Sequence, residues 1–283
     1  MRVSPPKVFG EAVAAGKPPA GSAGAQDAYR QTGFVLGGEV DLVVSGLALE
    51  GQVADTSSGA KFRTQVTASA LGLWSRSWLS RLQALHALQW GNYAAAMPLV
   101  RAAADYQAAQ LWLLQTDASE WRDWLDQGGV SMRHEEHAME YRLHAFRSAE
   151  VLAGHEVLGP VYRAATDLSL SHFGTTLLLA GSESTPERVM MTFGDRDFHL
   201  GLAEIVFGWL LQLGAAQILD LARFPAAVAP AADGATAWAQ AALKMNARAD
   251  RCHVACVERA GETRHLIDGW RRRPGDAAKR IML

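Results

Sequence analysis

The longest apolar stretch in the chain is residues 205–219, IVFGWLLQLGAAQIL, flanked by Glu204 and Asp220, with Gln212 and Gln217 as its only polar members. Phe198, Leu202, Ile205, Trp209, Leu213 and Ala216 line one side of a helix through this region, and apolar residues fill the other sides. A helix that is apolar nearly all round has to be surrounded by other elements. Its 15 residues fall short of the roughly 20 that cross a bilayer. The expectation is therefore a core helix with amphipathic helices packed around it. No membrane association is expected.

The flanking sequence supplies those helices. Trp74, Trp78, Leu82 and Leu85 recur at spacings of four, four and three, one stripe of a helix that starts near residue 64. Gly91 stops it and Asn92 caps the next, over 93–115, with Pro98 in its first two turns. The short break predicts an antiparallel helical hairpin. Further helices are expected over 119–126, 131–153, 160–172, 195–224 (capped by Asp195 or Asp197) and 236–260. Irregular connections are expected over 175–194 and 225–233, with a short extended piece at 189–193.

Residues 33–62 hold short apolar pieces between Gly33, Gly37, Gly38, Gly46 and Gly51 and read equally as strands or as a loose helix. Pro5, Pro6, Pro18 and Pro19 make residues 1–30 read as a flexible leader without the apolar core of a signal peptide. The division that follows is a leader with ambiguous short elements over 1–63, a helical bundle over 64–260 and a basic tail over 261–283. The fold class is all-α, an up-and-down bundle of six or seven helices.

Composition narrows the function classes. The 283 residues are 49% hydrophobic and 20% charged, which excludes a disordered or collagen-like chain. A net charge of −2 leaves no overall footprint for nucleic acid. Fifty alanines favour helix. The 22 arginines against 5 lysines read mainly as a coding bias. Cys252 and Cys256 are too few for a disulfide framework. Four residues apart on an expected helix, they read as small core residues. A cytoplasmic, reduced setting follows.

Three groups could carry chemistry. His134, His137, Tyr141 and His144, at spacings of three, four and three, form one face of an expected helix, with Met132, Met139, Leu143 and Phe146 opposite. That face is either a metal site, with Glu140 nearby, or a wet polar surface. Arg101 and Asp105 lie one turn apart in an Ala/Leu-rich helix and can pair there. With Tyr162, Asp167 and His172 they would form a cleft in which Arg101 binds an anion and His172 is the acid/base. The competing reading is hydrogen bonding between helices. Arg271, Arg272 and Arg273 could meet phosphate or simply face solvent.

Other chemistries lack their parts. One Glu-x-x-His, Glu262/His265, does not make a di-iron set. No phosphate loop, dinucleotide fingerprint, His-Glu-x-x-His or Gly-x-Ser-x-Gly is present. Three arginine–histidine spacings of the HEPN ribonuclease kind occur, at Arg81/His86, Arg248/His253 and Arg259/His265, about as many as this composition produces by chance.

Two segments resemble a loose group of uncharacterised bacterial all-helical proteins distantly linked to HEPN-like and abortive-infection proteins. LVRAAADY, residues 99–106, resembles that group's arginine–acid helix, with Asp105 where glutamate is usual. YRAATDLSLSH, residues 162–172, resembles its tyrosine–serine–histidine segment. The resemblance implies an all-helical fold and weight on Arg101, Asp105, Tyr162 and His172, and carries no activity. The leading expectation is an interaction or stress/defence-associated protein, with a homodimer as the candidate assembly. The alternatives are a small-molecule enzyme or ligand-binding protein using the Arg101 cleft, and a metal-binding bundle using His134, His137 and His144. The cofactor and whether the chain is an enzyme are both left open.

Overall fold

The apolar stretch forms a helix whose burial organises everything around it. A computed structural model of the chain describes residues 10–57, 65–115, 148–181, 184–185, 187–225, 234–259 and 261–283. In chain order its helices are α1 (Ala23–Val35), α2 (Gly37–Thr56), α3 (Gln65–Gln89), α4 (Tyr93–Gln115), α5 (Ser148–Gly154), α6 (Leu158–Ser169), α7 (Phe173–Ala180), α8 (Leu200–Leu221) and α9 (Ala235–Asn246). Three strands follow: β1 (His253–Arg259), β2 (Glu262–Trp270) and β3 (Lys279–Met282). The protein is mostly helical, with a small antiparallel sheet at the end of the chain.

α8 is the central helix, packed by α9, α4 and α2. Leu202, Val206, Phe207, Leu210, Leu211 and Leu213 are all at most 2% exposed. It is the one helix among the described residues long and apolar enough to cross a membrane, and 89% of its apolar window is buried inside the protein. α1 and α2 pass the same test only together, across an 87° bend. The expected caps Asp195 and Asp197 instead form a turn of their own, Asp197 N–H donating to Asp195 Oδ1 at 2.9 Å. His199 stands at the N-cap. The first amides of α8 are satisfied from the far end of the chain, Leu200 N–H by Arg272 O at 2.9 Å and Gly201 N–H by Arg271 O at 2.8 Å.

The α3–α4 hairpin forms as expected, with Gly91 at φ +71° and the Asn92 side chain accepting from Ala95 N–H at 3.2 Å. The ambiguous stretch 33–62 is helical over 37–56. Of the expected flexible stretch 1–30, residues from Ala23 on belong to α1, and part of the segment before it is tied down. Ala15 N–H donates to Gln89 Oε1 at 2.7 Å, Trp90 Nε1–H donates to Gly16 O at 2.9 Å, and His86 Nε2 lies 2.8 Å from Val13 O. The glycines that read as breakers in α2 have another use at one position. A Cβ on Gly46 would lie 2.0 Å from Trp238 Cζ2, and one on Gly214 of α8 would lie 2.8 Å from Trp238 Cη2. The Trp238 indole is wedged between two helix backbones, its Nε1–H donating to Leu42 O at 2.9 Å. Close packing of this kind requires the missing side chains.

Two further expectations are corrected. Residues 175–180 of the expected irregular connection belong to helix α7. The long last helix stops at Asn246, and β1 and β2 form a hairpin whose turn carries Gly261 at φ +80°. Sheet order is β1-β2-β3, with Cys256 opposite His265 in the β1–β2 register. A bulge between Ile267 and Trp270 contains Gly269 at φ +75°. The segment expected as a free basic tail is therefore folded and caps the central helix.

Charge is buried where the sequence pattern did not suggest it. Arg81 on α3 grips Glu50 on α2 as a fork, Nη1 to Oε1 and Nη2 to Oε2, both at 2.6 Å, and Trp74 Nε1–H adds a third donor at 2.9 Å. Both side chains are at most 2% exposed. Arg251, just before β1, donates to Glu39 of α2 at 2.5 Å and to Glu204 O at 3.2 Å. Glu204 in turn accepts from Cys252 N–H at 2.9 Å. These bonds fasten α2 to α3, and the chain leading into the sheet to α2 and α8.

Candidate functional site: a cleft between α4, α5 and α6

Of the sequence-predicted residues, Arg101, Asp105 and Tyr162 come together. They line a cleft of about 720 Å³ with Ser148, Gly159 and Arg163. α4 places Arg101 and Asp105 one turn apart on its outer face, while Val100, Ala103 and Ala104 on the other side pack into the core. The apolar helix does not bury Arg101, which is exposed. Its Nη2 donates to Tyr162 Oη at 3.1 Å and its Nε to Thr166 Oγ1 at 3.2 Å. Its guanidinium carbon stands 5.3 Å from the Tyr162 ring centroid. Thr166 Oγ1 donates onward to Tyr162 O at 2.7 Å. The guanidinium is thus oriented from two sides by α6.

Asp105 turns away from direct bonding with Arg101. Its Oδ1 accepts from Ser148 Oγ at 2.9 Å, at the first residue of α5. Burial pushes its carboxyl above the usual carboxylate range, opposed by the Ser148 hydrogen bond and by the positive charges of Arg101 and Arg76. Gly159 makes the cleft possible, because a Cβ there would lie 2.1 Å from Leu152 O. α5 and the first turn of α6 can approach only through that bare position.

His172 is not brought into the cleft. The chain leaves α6 in extended backbone at Leu170, and His172 is the exposed N-cap residue of α7, its carbonyl accepting from Thr176 N–H at 2.9 Å. It is absent from the residues lining the cleft. His134, His137 and His144 lie outside the described residues. Among the described residues no group of three or more His, Cys, Asp or Glu side chains could hold a metal. Arg271 and Arg272 are engaged within the fold. Arg271 binds Asp250 O and lies 3.5 Å from Glu204 Oε1; Arg272 lies 3.5 Å from Asp197 Oδ2 and from His199 Nδ1. The backbone N–H of Arg273 donates to Asp276 Oδ2 at 2.9 Å.

Two arrangements escaped the sequence reading. His199, 2% exposed, borders a second cavity of about 650 Å³ between α7 and the end of the chain. Its ring meets Tyr93 edge-on at 5.7 Å, and its Nε2 lies 3.4 Å from Asp195 Oδ2. The other joins Asp167 of α6 to the β1–β2 hairpin. His265 Nε2 lies 2.5 Å from Asp167 Oδ2, and His265 Nδ1 lies 3.6 Å from Cys256 Sγ. A hairpin reading of residues 253–268 centred on 260–261 would have put Cys256 opposite His265.

No protein-family model matches the chain, and no curated protein and no solved structure matches it.

Proposed function

We propose that this chain is a small-molecule enzyme or ligand-binding protein that takes an anionic group in the Arg101–Asp105–Tyr162 cleft. The observation that carries this reading is the Arg101 guanidinium, held on α4 by Tyr162 and Thr166 at the edge of a 720 Å³ cleft. A planar, pre-oriented guanidinium suits carboxylate or phosphate better than a mobile one does. Arg163 adds a second cation to the wall. Burial raises the Asp105 carboxyl, the direction in which a proton donor is shifted. With His172 outside the cleft lining, Asp105 is the carboxyl this proposal places beside the anion.

The test is thermal unfolding with inorganic phosphate or succinate. Ligand at about 100 times its Kd adds roughly 2.7 kcal/mol of stability. Wild type and His172→Ala should both shift, and Arg101→Gln should not. Equal shifts in wild type and Arg101→Gln would remove the reading.

A second reading, an interaction or stress/defence-associated protein of HEPN-like type that dimerises, is favoured by one observation. Phe173, Val189, Met190, Met191 and Phe193 are all exposed, Phe173 by 66%, and apolar exposure of this kind marks partner surfaces. Light scattering separates the readings, since a strict monomer that captures no partner counts against this one. The up-and-down arrangement of six or seven helices and a cytoplasmic location accompany both readings, supported by the α3–α4 hairpin and by two unpaired thiols. Metal binding through His134, His137 and His144 rests on their spacing, and elemental analysis tests it.

A further inference from the structure

The Cys256–His265–Asp167 arrangement is independent of the Arg101 cleft and makes a different chemistry available. Its three members come from two elements far apart in sequence. Asp167 lies in the last turn of α6, while Cys256 and His265 face each other across the β1–β2 hairpin. The sheet's pleat puts Val254, Cys256, His265 and Ile267 on one face. At the Ile267 end this face is closed against the helices, Ile267 being 0% exposed. At the Cys256 end it opens, and Cys256 is exposed.

The order of atoms has a direction. Asp167 at His265 Nε2 fixes the proton on that nitrogen, which leaves the Nδ1 lone pair facing the Cys256 thiol. The thiol can donate to Nδ1 at 3.6 Å. This is the nucleophile–base–orienter sequence of thiol-dependent acyl transfer.

The backbone adds a second element. Leu283 N–H on the far side of β2 donates to His265 O at 2.9 Å, so the main-chain groups of His265 point toward β3 and away from β1. The Cys256–His265 pair is then a non-hydrogen-bonded antiparallel pair, the kind in which side chains approach most closely. It follows that the N–H and C=O of Cys256 point out of the other edge of β1. β1 is an edge strand of the sheet. A donor N–H on the nucleophile's own residue therefore lies on that edge, where it can meet a developing oxyanion.

We infer that Cys256, His265 and Asp167 form a thiol nucleophile centre acting on an activated acyl group, an ester or thioester. The Cys256 thiol proton passes to His265 Nδ1 as the sulfur forms a bond to the acyl carbon. The acyl–oxygen or acyl–sulfur bond breaks, and His265 returns the proton to the departing alcohol or thiol. Water then attacks the thioester, giving a proton to His265; the acyl–sulfur bond breaks, His265 passes that proton to the Cys256 sulfur, and the carboxylic acid is released. Asp167 holds the imidazole in the required tautomer and stabilises it when protonated.

The experiment uses the intact chain, and Cys252 serves as an internal control. Cys252 is 2% exposed and its thiol is pushed up to about 12, chiefly by burial and by the Glu204 carboxylate. Site-resolved mass spectrometry follows alkylation by iodoacetamide between pH 5.5 and 9, and acetylation by p-nitrophenyl acetate. The expected result at pH 6.5 is modification of Cys256 at least about tenfold faster than free cysteine, with Cys252 unmodified. His265→Gln should remove that advantage. Asp167→Asn, a change at a 49% exposed side chain that leaves the hairpin intact, should reduce it several-fold. An acetyl group should be found on Cys256 in wild type and be absent in Cys256→Ser. The inference is overturned if Cys256 follows the pH profile of free cysteine, if neither His265→Gln nor Asp167→Asn changes its rate, or if no acetyl–Cys256 forms.

Discussion

Removing Arg81 should cost more than removing any surface arginine, because of what it leaves behind. In Arg81→Met the volume is largely kept, so the cavity term is small. The Glu50 carboxylate, 1% exposed, loses both guanidinium bonds and keeps only the Trp74 N–H. Breaking a buried ion pair from one side costs about 3–5 kcal/mol. At roughly 2 °C or more per kcal/mol for a chain of this size, Tm should fall by about 6–10 °C or more. Replacing both partners, Glu50→Leu with Arg81→Met, should recover much of the loss. Urea unfolding at pH 7.5 measures both variants. A loss below about 1 kcal/mol, the range of exposed pairs, or a double variant no better than the single, would show that the pair does not carry this stability.

Further outcomes follow from individual sites. His199 is held below its ordinary value, first by burial and then by Arg272, against the opposing pull of Asp195 and Asp197. The unfolded chain therefore binds this proton more readily, and the stability His199 contributes is present above about pH 6.5 and lost as pH falls through its lower folded value. Thermal scans should show Tm falling from pH 7.5 to 5, by less in His199→Gln. Gly46→Ala and Gly51→Ala, both in α2, should have opposite signs in chemical denaturation. The first forces a methyl to 2.0 Å from Trp238 and should destabilise by about 1–3 kcal/mol, while the second meets nothing within 4 Å and should stabilise by up to about 1 kcal/mol. Gly159→Ala, facing Leu152 O at 2.1 Å, should separate α5 from α6 and weaken succinate binding in calorimetry.

The parts of the fold that showed in the sequence are those whose signals are local. α8 was legible because fifteen consecutive positions point to one environment. The α3–α4 hairpin was legible because Trp74, Trp78, Leu82 and Leu85 form a stripe that Gly91 and Asn92 end. α2 was not legible, since its glycines read as breakers and Gly46 is needed only because Trp238, almost 200 residues later, packs on it. The hairpin 253–270 was hidden by alanines, arginines and small spacings that suit a helix equally well. Whether such a segment becomes strand is decided by packing, here Ile267 and Cys252 buried against the helices.

The candidate site divides the same way. Arg101 and Tyr162 stood out in apolar surroundings and do meet, but Arg101 lies at the surface. Arg81 and Glu50, and Arg251 and Glu39, are paired in the interior across 31 and 212 positions, a separation that leaves no periodic trace. His172 was grouped with Tyr162 on the assumption that one helix ran through both, and the helix ends at Ser169. Cys256 was invisible as a nucleophile as long as it sat on an expected helix, where its cross-strand partner could not be seen.

Anion binding at Arg101 is read by isothermal titration of wild type, Arg101→Gln and His172→Ala with inorganic phosphate. The expected result is one site per chain in wild type and in His172→Ala, and no measurable binding in Arg101→Gln. Equal binding in all three proteins, or none in wild type with phosphate or with succinate, would contradict it.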